Sequence, residues 1–168
     1  MVANDYPVVV LGGPVNPTTW YNPIAEDLTA VKAVVNDDWV SYTPVWTSSG
    51  TAPSLGNGSL TGRSRAFGTS LIICEVRLVF GSTTTGGTGI WFFTLSHTAT
   101  TDAVNLSGGT WHALDVGVQD YGGTTKMDTT TTFRCQISTG NGVGATLPFT
   151  FANTDTLRSQ VIFESATT

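Results

Sequence analysis

From Trp39 to the C-terminus, apolar and polar residues alternate with a period of two, broken by clusters of Gly, Ser, Thr and Asn. That period places successive side chains on opposite faces of a strand, so the pattern predicts half-buried β structure throughout. The clearest run is LIICEVRLVF, where Ile72, Cys74, Val76, Leu78 and Phe80 share one face while Glu75 and Arg77 point the other way. In TFRCQIS the residues Phe133, Cys135 and Ile137 form the apolar face, which puts both cysteines of the chain inside. WHALDVGV reads with Leu114, Val116 and Val118 inward and His112 in line with them, whereas GIWFFTL is apolar on both faces and predicts a central or interface strand. Strands are expected near 39–47, 59–67, 70–80, 89–95, 111–119, 128–138 and 157–164. Joined by Gly-rich loops, they fit an antiparallel β-sandwich or jelly roll.

The first 38 residues follow a different pattern and are expected to form a separate attachment region, leaving 39–168 as the head domain. Val8, Val9, Val10 and Leu11 make a short extended run closed by Gly12, Gly13 and Pro14, the form of an arm that could add a strand to another sheet. Asn22 and Pro23 then supply a helix cap and a first-turn proline, with Glu26 and Asp27 placed to complement the helix dipole. Ile24, Leu28, Val31 and Val35 are spaced four, three and four apart, a coiled-coil seam. A helix of about a dozen residues, roughly 18 Å long at 1.5 Å per residue, is not stable alone in water. Its stripe must be buried, either on its own domain or in a short oligomeric neck.

Composition narrows the function classes. Charged residues make up 11% of the chain, Gly occurs 19 times and Thr 30 times. Neutral threonine keeps the outer face of a sheet soluble, which explains how so few charges suffice. The net charge of -5 provides no cationic field for gathering nucleic acid. No apolar stretch is long enough to span a membrane, and no secretory leader is evident, so synthesis in a cytoplasm is expected. Without such a leader, the glycosylation patterns at Asn57 and Asn105 carry no consequence. Two cysteines make neither a disulfide scaffold nor a zinc site and read as buried free thiols.

Catalytic and metal-binding arrangements are not expected, and no cofactor is implied. His97 has Ser96 and Asp102 nearby, but all three share one loop with no nucleophile elbow. His112 falls on a strand face, and Asp37 and Asp38 are adjacent at the end of the expected helix. GSTTTGGTG lacks the lysine and the following helix of a phosphate loop. Trp46, Trp91 and Trp111 stand on strands or at their ends, where each ring serves either core or subunit packing or stacking on a sugar face.

Residues 39–95 contain, in order, Tyr42-Thr43-Pro44-Val45-Trp46, then GTAPSLGNG and LTGR, then a hydrophobic strand, then GSTTTGGTG leading into Ile90-Trp91-Phe92-Phe93. This segment, about a third of the chain, resembles a domain of virion proteins from phages of actinobacteria, of the minor tail, tail-fibre and head-decoration kinds. After LTGR the usual aromatic or basic pattern is replaced by Ser64, Arg65, Ala66 and Phe67, a departure that leaves the strand intact. The resemblance implies a non-enzymatic β-sandwich, commonly trimeric, displayed on the virion surface and assembled in the host cytoplasm. Its partners would be copies of itself and capsid or tail proteins. With only a short helix for a shaft, capsid decoration through the arm is the expected role. The alternative is a minor tail protein or short tail-fibre adhesin that binds host-envelope glycan.

Overall fold

The computed structural model describes residues 38–68 and 70–166. Nine strands form there: β1 (Val40–Tyr42), β2 (Trp46–Ser48), β3 (Ser59–Phe67), β4 (Leu71–Val79), β5 (Trp91–Thr94), β6 (Ser107–Asp115), β7 (Gln119–Met127), β8 (Thr132–Gln136) and β9 (Thr156–Glu164). The one helical element among the described residues is a single 3-10 turn, Thr101–Ala103. The expected arm at Val8–Leu11 and the stripe Ile24, Leu28, Val31 and Val35 lie outside the described residues.

All nine strands belong to one sheet in the order β1-β3-β4-β9-β6-β7-β8-β5-β2, with every pairing antiparallel. The two edge strands, β1 and β2, are joined by Thr43, Pro44 and Val45 alone. The four peptide steps from Tyr42 to Trp46 reach at most about 14 Å. The sheet must therefore curl until its edges approach, and it forms an antiparallel half-barrel. Tyr42 fastens the corner: its hydroxyl lies 2.8 Å from Cys74 Sγ on β4 and 3.1 Å from the Thr94 carbonyl on β5, to which it donates. Its phenolic proton is held well above the ordinary value, first by burial and then by the neighbouring Cys74.

Inside the curl, β4 contributes Ile72, Cys74, Val76 and Leu78, β9 contributes Leu157, Val161 and Phe163, and β8 contributes Phe133 and Cys135, all buried. Trp46, Trp91, Phe80, Phe151, Phe149 and Tyr121 form a chain of ring contacts across the interior, with centroids 4.2–5.7 Å apart. Such pairs add to the energy of burial alone.

Three features differ from the pattern in the sequence. The stretch 39–47 is two short strands, because the chain turns the corner at Pro44. A strand at 119–127, absent from the expected set, pairs with both β6 and β8. The inward face of β6 is the reverse of the expected one: Trp111 and Ala113 are buried, while Leu114, Val116 and Val118 are 36%, 48% and 71% exposed and His112 faces solvent. Burying the indole of Trp111 outweighs burying Leu114, and a one-residue change of phase moves every side chain to the other face. Val116 and Val118 belong to the hairpin turn between β6 and β7.

The loop between β2 and β3 interlocks with the loop between β4 and β5. Ser54 and Thr85 exchange backbone hydrogen bonds, both 2.9 Å. Asn57 Oδ1 accepts from Thr83 N–H at 2.9 Å, and the Thr84 hydroxyl donates to the Leu55 carbonyl at 2.6 Å. Nearby, a Cβ on Gly62 would fall 2.5 Å from the Tyr42 ring and 2.7 Å from Pro44, so only glycine admits the corner against β3.

Cys74 and Cys135 are buried and free. Burial pushes both thiols above their ordinary value of 9.0. The unfolded chain releases these protons near pH 9, while the folded chain retains them. Stability is therefore complete below pH 9 and declines as pH rises beyond it, by up to about 1.4 kcal/mol per pH unit for each retained proton. Urea midpoints at pH 8 and pH 10.5 should show this decline, and Cys135→Ala should flatten it. An unchanged slope in that variant would show that the Cys135 proton is not its source.

Candidate functional site

The sequence-derived candidates separate once the fold is known. Trp91 is 0% and Trp111 3% exposed, so neither offers a ring face to a sugar. Both indoles serve the core, where Trp91 Nε1–H donates to the Gly86 carbonyl and Trp111 Nε1–H to the Gln136 carbonyl, each at 2.7 Å. Trp46 is half-buried with its ring edge-on to Phe80 and Trp91, and its enclosed Nε1–H has no partner among the described residues. The glycan-stacking reading is thus corrected for Trp91 and Trp111, and Trp46 is committed to the aromatic chain.

Ser96 Oγ sits 2.9 Å from His97 Nδ1, but no hydrogen bond or ion pair joins Asp102 to that ring among the described residues. His112 Nε2 is 3.1 Å from Asp120, on the solvent side of the sheet. Among the described residues, no group of three His, Cys, Asp or Glu side chains could hold a metal ion.

The sheet does assemble one charged site on its outer face. Strands β3, β4, β9 and β6 lie side by side, and their register sets Thr61, Arg77, Arg158 and His112 in a single row. The next row holds Arg63, Glu75 and Gln160. The alternation that buries Val76, Leu78, Leu157 and Ser159 sends these residues outward. They line a shallow groove of about 730 Å³. Three of the chain's seven Lys and Arg residues therefore meet on one face of a protein with net charge -5.

The carboxylates nearby are already engaged. Glu75 accepts from Arg63 Nε at 2.6 Å and from Gln160 Nε2 at 3.2 Å, and Asp120 is paired with His112. Arg77 and Arg158 stand directly opposite each other, exposed, with no carboxylate partner among the described residues. Opposed like charges on antiparallel strands disfavour pairing by an amount on the order of 0.2–1 kcal/mol. The guanidinium of Arg63, a lining residue, lies 4.3 Å over the ring of Trp39, which is 37% exposed. A guanidinium is a permanent planar cation that donates two parallel hydrogen bonds, so this surface is suited to holding an anion.

Sequence reasoning missed Arg63, Arg77, Arg158 and Trp39 as site residues. The outward phase of Arg77 was legible in LIICEVRLVF, but its meeting with Arg158 depends on β9 pairing with β4. Comparison with protein-family models, with curated proteins and with solved structures finds no match for this chain.

Proposed function

We propose that this chain is a non-enzymatic structural protein of a bacteriophage virion. In this reading three copies assemble, and each presents residues 39–168 as a β head while the arm at Val8–Leu11 attaches it to the capsid shell. The neck stripe Ile24, Leu28, Val31 and Val35 holds the three copies together. The half-barrel is then an antiparallel sandwich or jelly roll, with β1-β3-β4-β9-β6 and β7-β8-β5-β2 as its facing layers.

The observation that supports this reading is the interlock of the segment that carries the resemblance. Its separate motifs touch one another: Tyr42 and Pro44 rest on Gly62, and the GTAPSLGNG loop is hydrogen-bonded to GSTTTGGTG. A motif whose pieces support each other specifies a display scaffold and needs no reactive group. The arginine groove favours a second reading, in which the same head sits on the tail as a minor tail protein or short adhesin and touches host-envelope glycan.

Light scattering on the full chain should give the mass of three 17.7 kDa chains. Leu28→Asp combined with Val31→Asp should reduce it to one, because charges cannot be buried in the seam. A single-chain mass for the unaltered protein would overturn the trimer. Antibody labelling of purified virions should decorate the capsid shell. Label on the tail would select the second reading, and unlabelled particles would overturn both.

A further inference from the structure

We propose that the groove on the outer face of β3, β4, β9 and β6 binds an acidic polysaccharide, a chain of hydroxylated sugars carrying carboxylate or phosphate groups. The inference does not depend on where the virion carries this protein. For the adhesin reading it supplies a site and a ligand class, and it replaces the tryptophan-based site.

Three observations carry it. Arg77 and Arg158 oppose each other in register with no carboxylate partner among the described residues. An anion between them removes their repulsion, and each guanidinium can offer it a two-pronged contact. The neutral side chains beside them, Thr61, Thr110 and Gln160, supply hydroxyl and amide groups of the kind that pair with sugar hydroxyls. Those groups favour a glycan over an acidic peptide, whose apolar side chains would find no anchor: the apolar residues at the groove, Val76 and Trp111, are buried beneath the sheet. Beside the groove, the exposed Trp39 ring lies under the guanidinium of the lining residue Arg63 and adds an aromatic surface next to the polar groups.

The glycan is positioned along the rows of the sheet. Its anionic group sits between Arg77 and Arg158, and the adjoining sugar lies toward Gln160 and Arg63. Because both cations are exposed, much of the affinity is screened by salt.

The test is calorimetric titration of the full chain with four probes: an oligogalacturonate, a glycerol-phosphate oligomer, neutral maltohexaose and hexaglutamate. At least one of the first two should bind, and maltohexaose and hexaglutamate should each be at least tenfold weaker. The first two probes distinguish a carboxylate from a phosphate ligand. Arg77→Gln combined with Arg158→Gln should weaken binding at least tenfold. Arg158→Gln alone should also weaken it, whereas Lys126→Gln, which removes one positive charge as that single variant does but away from the groove, should leave it unchanged. Removing opposed charges should not lower the melting temperature; if the double variant nonetheless fails to fold, Arg158→Gln alone is measured in its place.

Hexaglutamate binding as tightly as the anionic sugars would overturn the glycan in favour of an acidic protein surface. Equal loss in Lys126→Gln would reduce the effect to net charge and overturn the site. No binding by any probe would overturn the proposal while leaving the virion-labelling result untouched.

Discussion

Replacing Trp91 with Ala should lower stability by about 4 kcal/mol, the usual cost of emptying a large aromatic from a close-packed interior. In a chain of this length that corresponds to a fall in melting temperature of roughly 12 °C. Trp91 is fully buried, and its ring meets Trp46, Phe80 and Phe151 at centroid distances of 5.0, 5.7 and 4.9 Å. The substitution breaks the aromatic chain at one of its three best-connected rings, with Phe80 and Phe151. It also frees the Gly86 carbonyl, which accepts the indole N–H at 2.7 Å and holds the GSTTTGGTG loop down on the core. Trp91→Phe should cost about half as much, since it keeps a ring in place but loses that hydrogen bond. Trp46→Ala should also cost less, because Trp46 lies on the edge strand, is half-exposed and has an unpartnered N–H. Urea denaturation followed by far-UV circular dichroism ranks the three variants. A Trp91→Ala cost no larger than that of Trp46→Ala would mean that the aromatic chain does not centre on Trp91.

The parts of this fold that can be read from the sequence are those where one strand carries its own hydrophobic face. β3 spans the expected 59–67, and β4 and β9 fall within a residue of expectation, because their alternation is unbroken. β7 escaped because its inward positions are Tyr121, Gly123, Thr125 and Met127, so the apolar signal drops out where a neighbour occupies the space. That neighbour is Trp111, and the same exchange of volume explains why the face of β6 was reversed. A period-two pattern reports the side chains a strand owns, not the room that the next strand requires.

The candidate site was illegible for a related reason. Each arginine is an ordinary solvent-facing residue of its own strand, and in isolation each keeps a Thr-rich sheet soluble. Arg77 and Arg158 become a site only because β9 returns from the end of the chain to pair with β4. Glu75 and Gln160 meet through the same pairing, which assigns the available carboxylate to Arg63 and leaves Arg77 and Arg158 without one among the described residues. The charge is sparse along the chain but concentrated on the sheet, and strand order accounts for the difference.

Gly122 and Gly123, adjacent on β7, should respond very differently to alanine. A Cβ on Gly122 would meet only the Trp111 carbonyl, at 3.3 Å, and Gly122→Ala should change stability by less than about 1 kcal/mol. A Cβ on Gly123 would lie 2.2 Å from the Gln136 carbonyl oxygen and 2.7 Å from Trp111 Nε1. Those are the two atoms joined by the indole hydrogen bond, so the methyl group would enter the contact that links β6 to β8 across β7. Relief requires either moving backbone on β8 or turning the Trp111 indole away from its acceptor. Overpacking costs about 1–3 kcal/mol, and a buried carbonyl left without its donor costs a similar amount. Gly123→Ala should therefore lose about 3 kcal/mol and shift tryptophan fluorescence as the Trp111 environment changes. Urea unfolding of the two variants decides the matter. Equal costs would show that β7 tolerates a side chain at 123, and that Trp111 does not depend on the space Gly123 leaves.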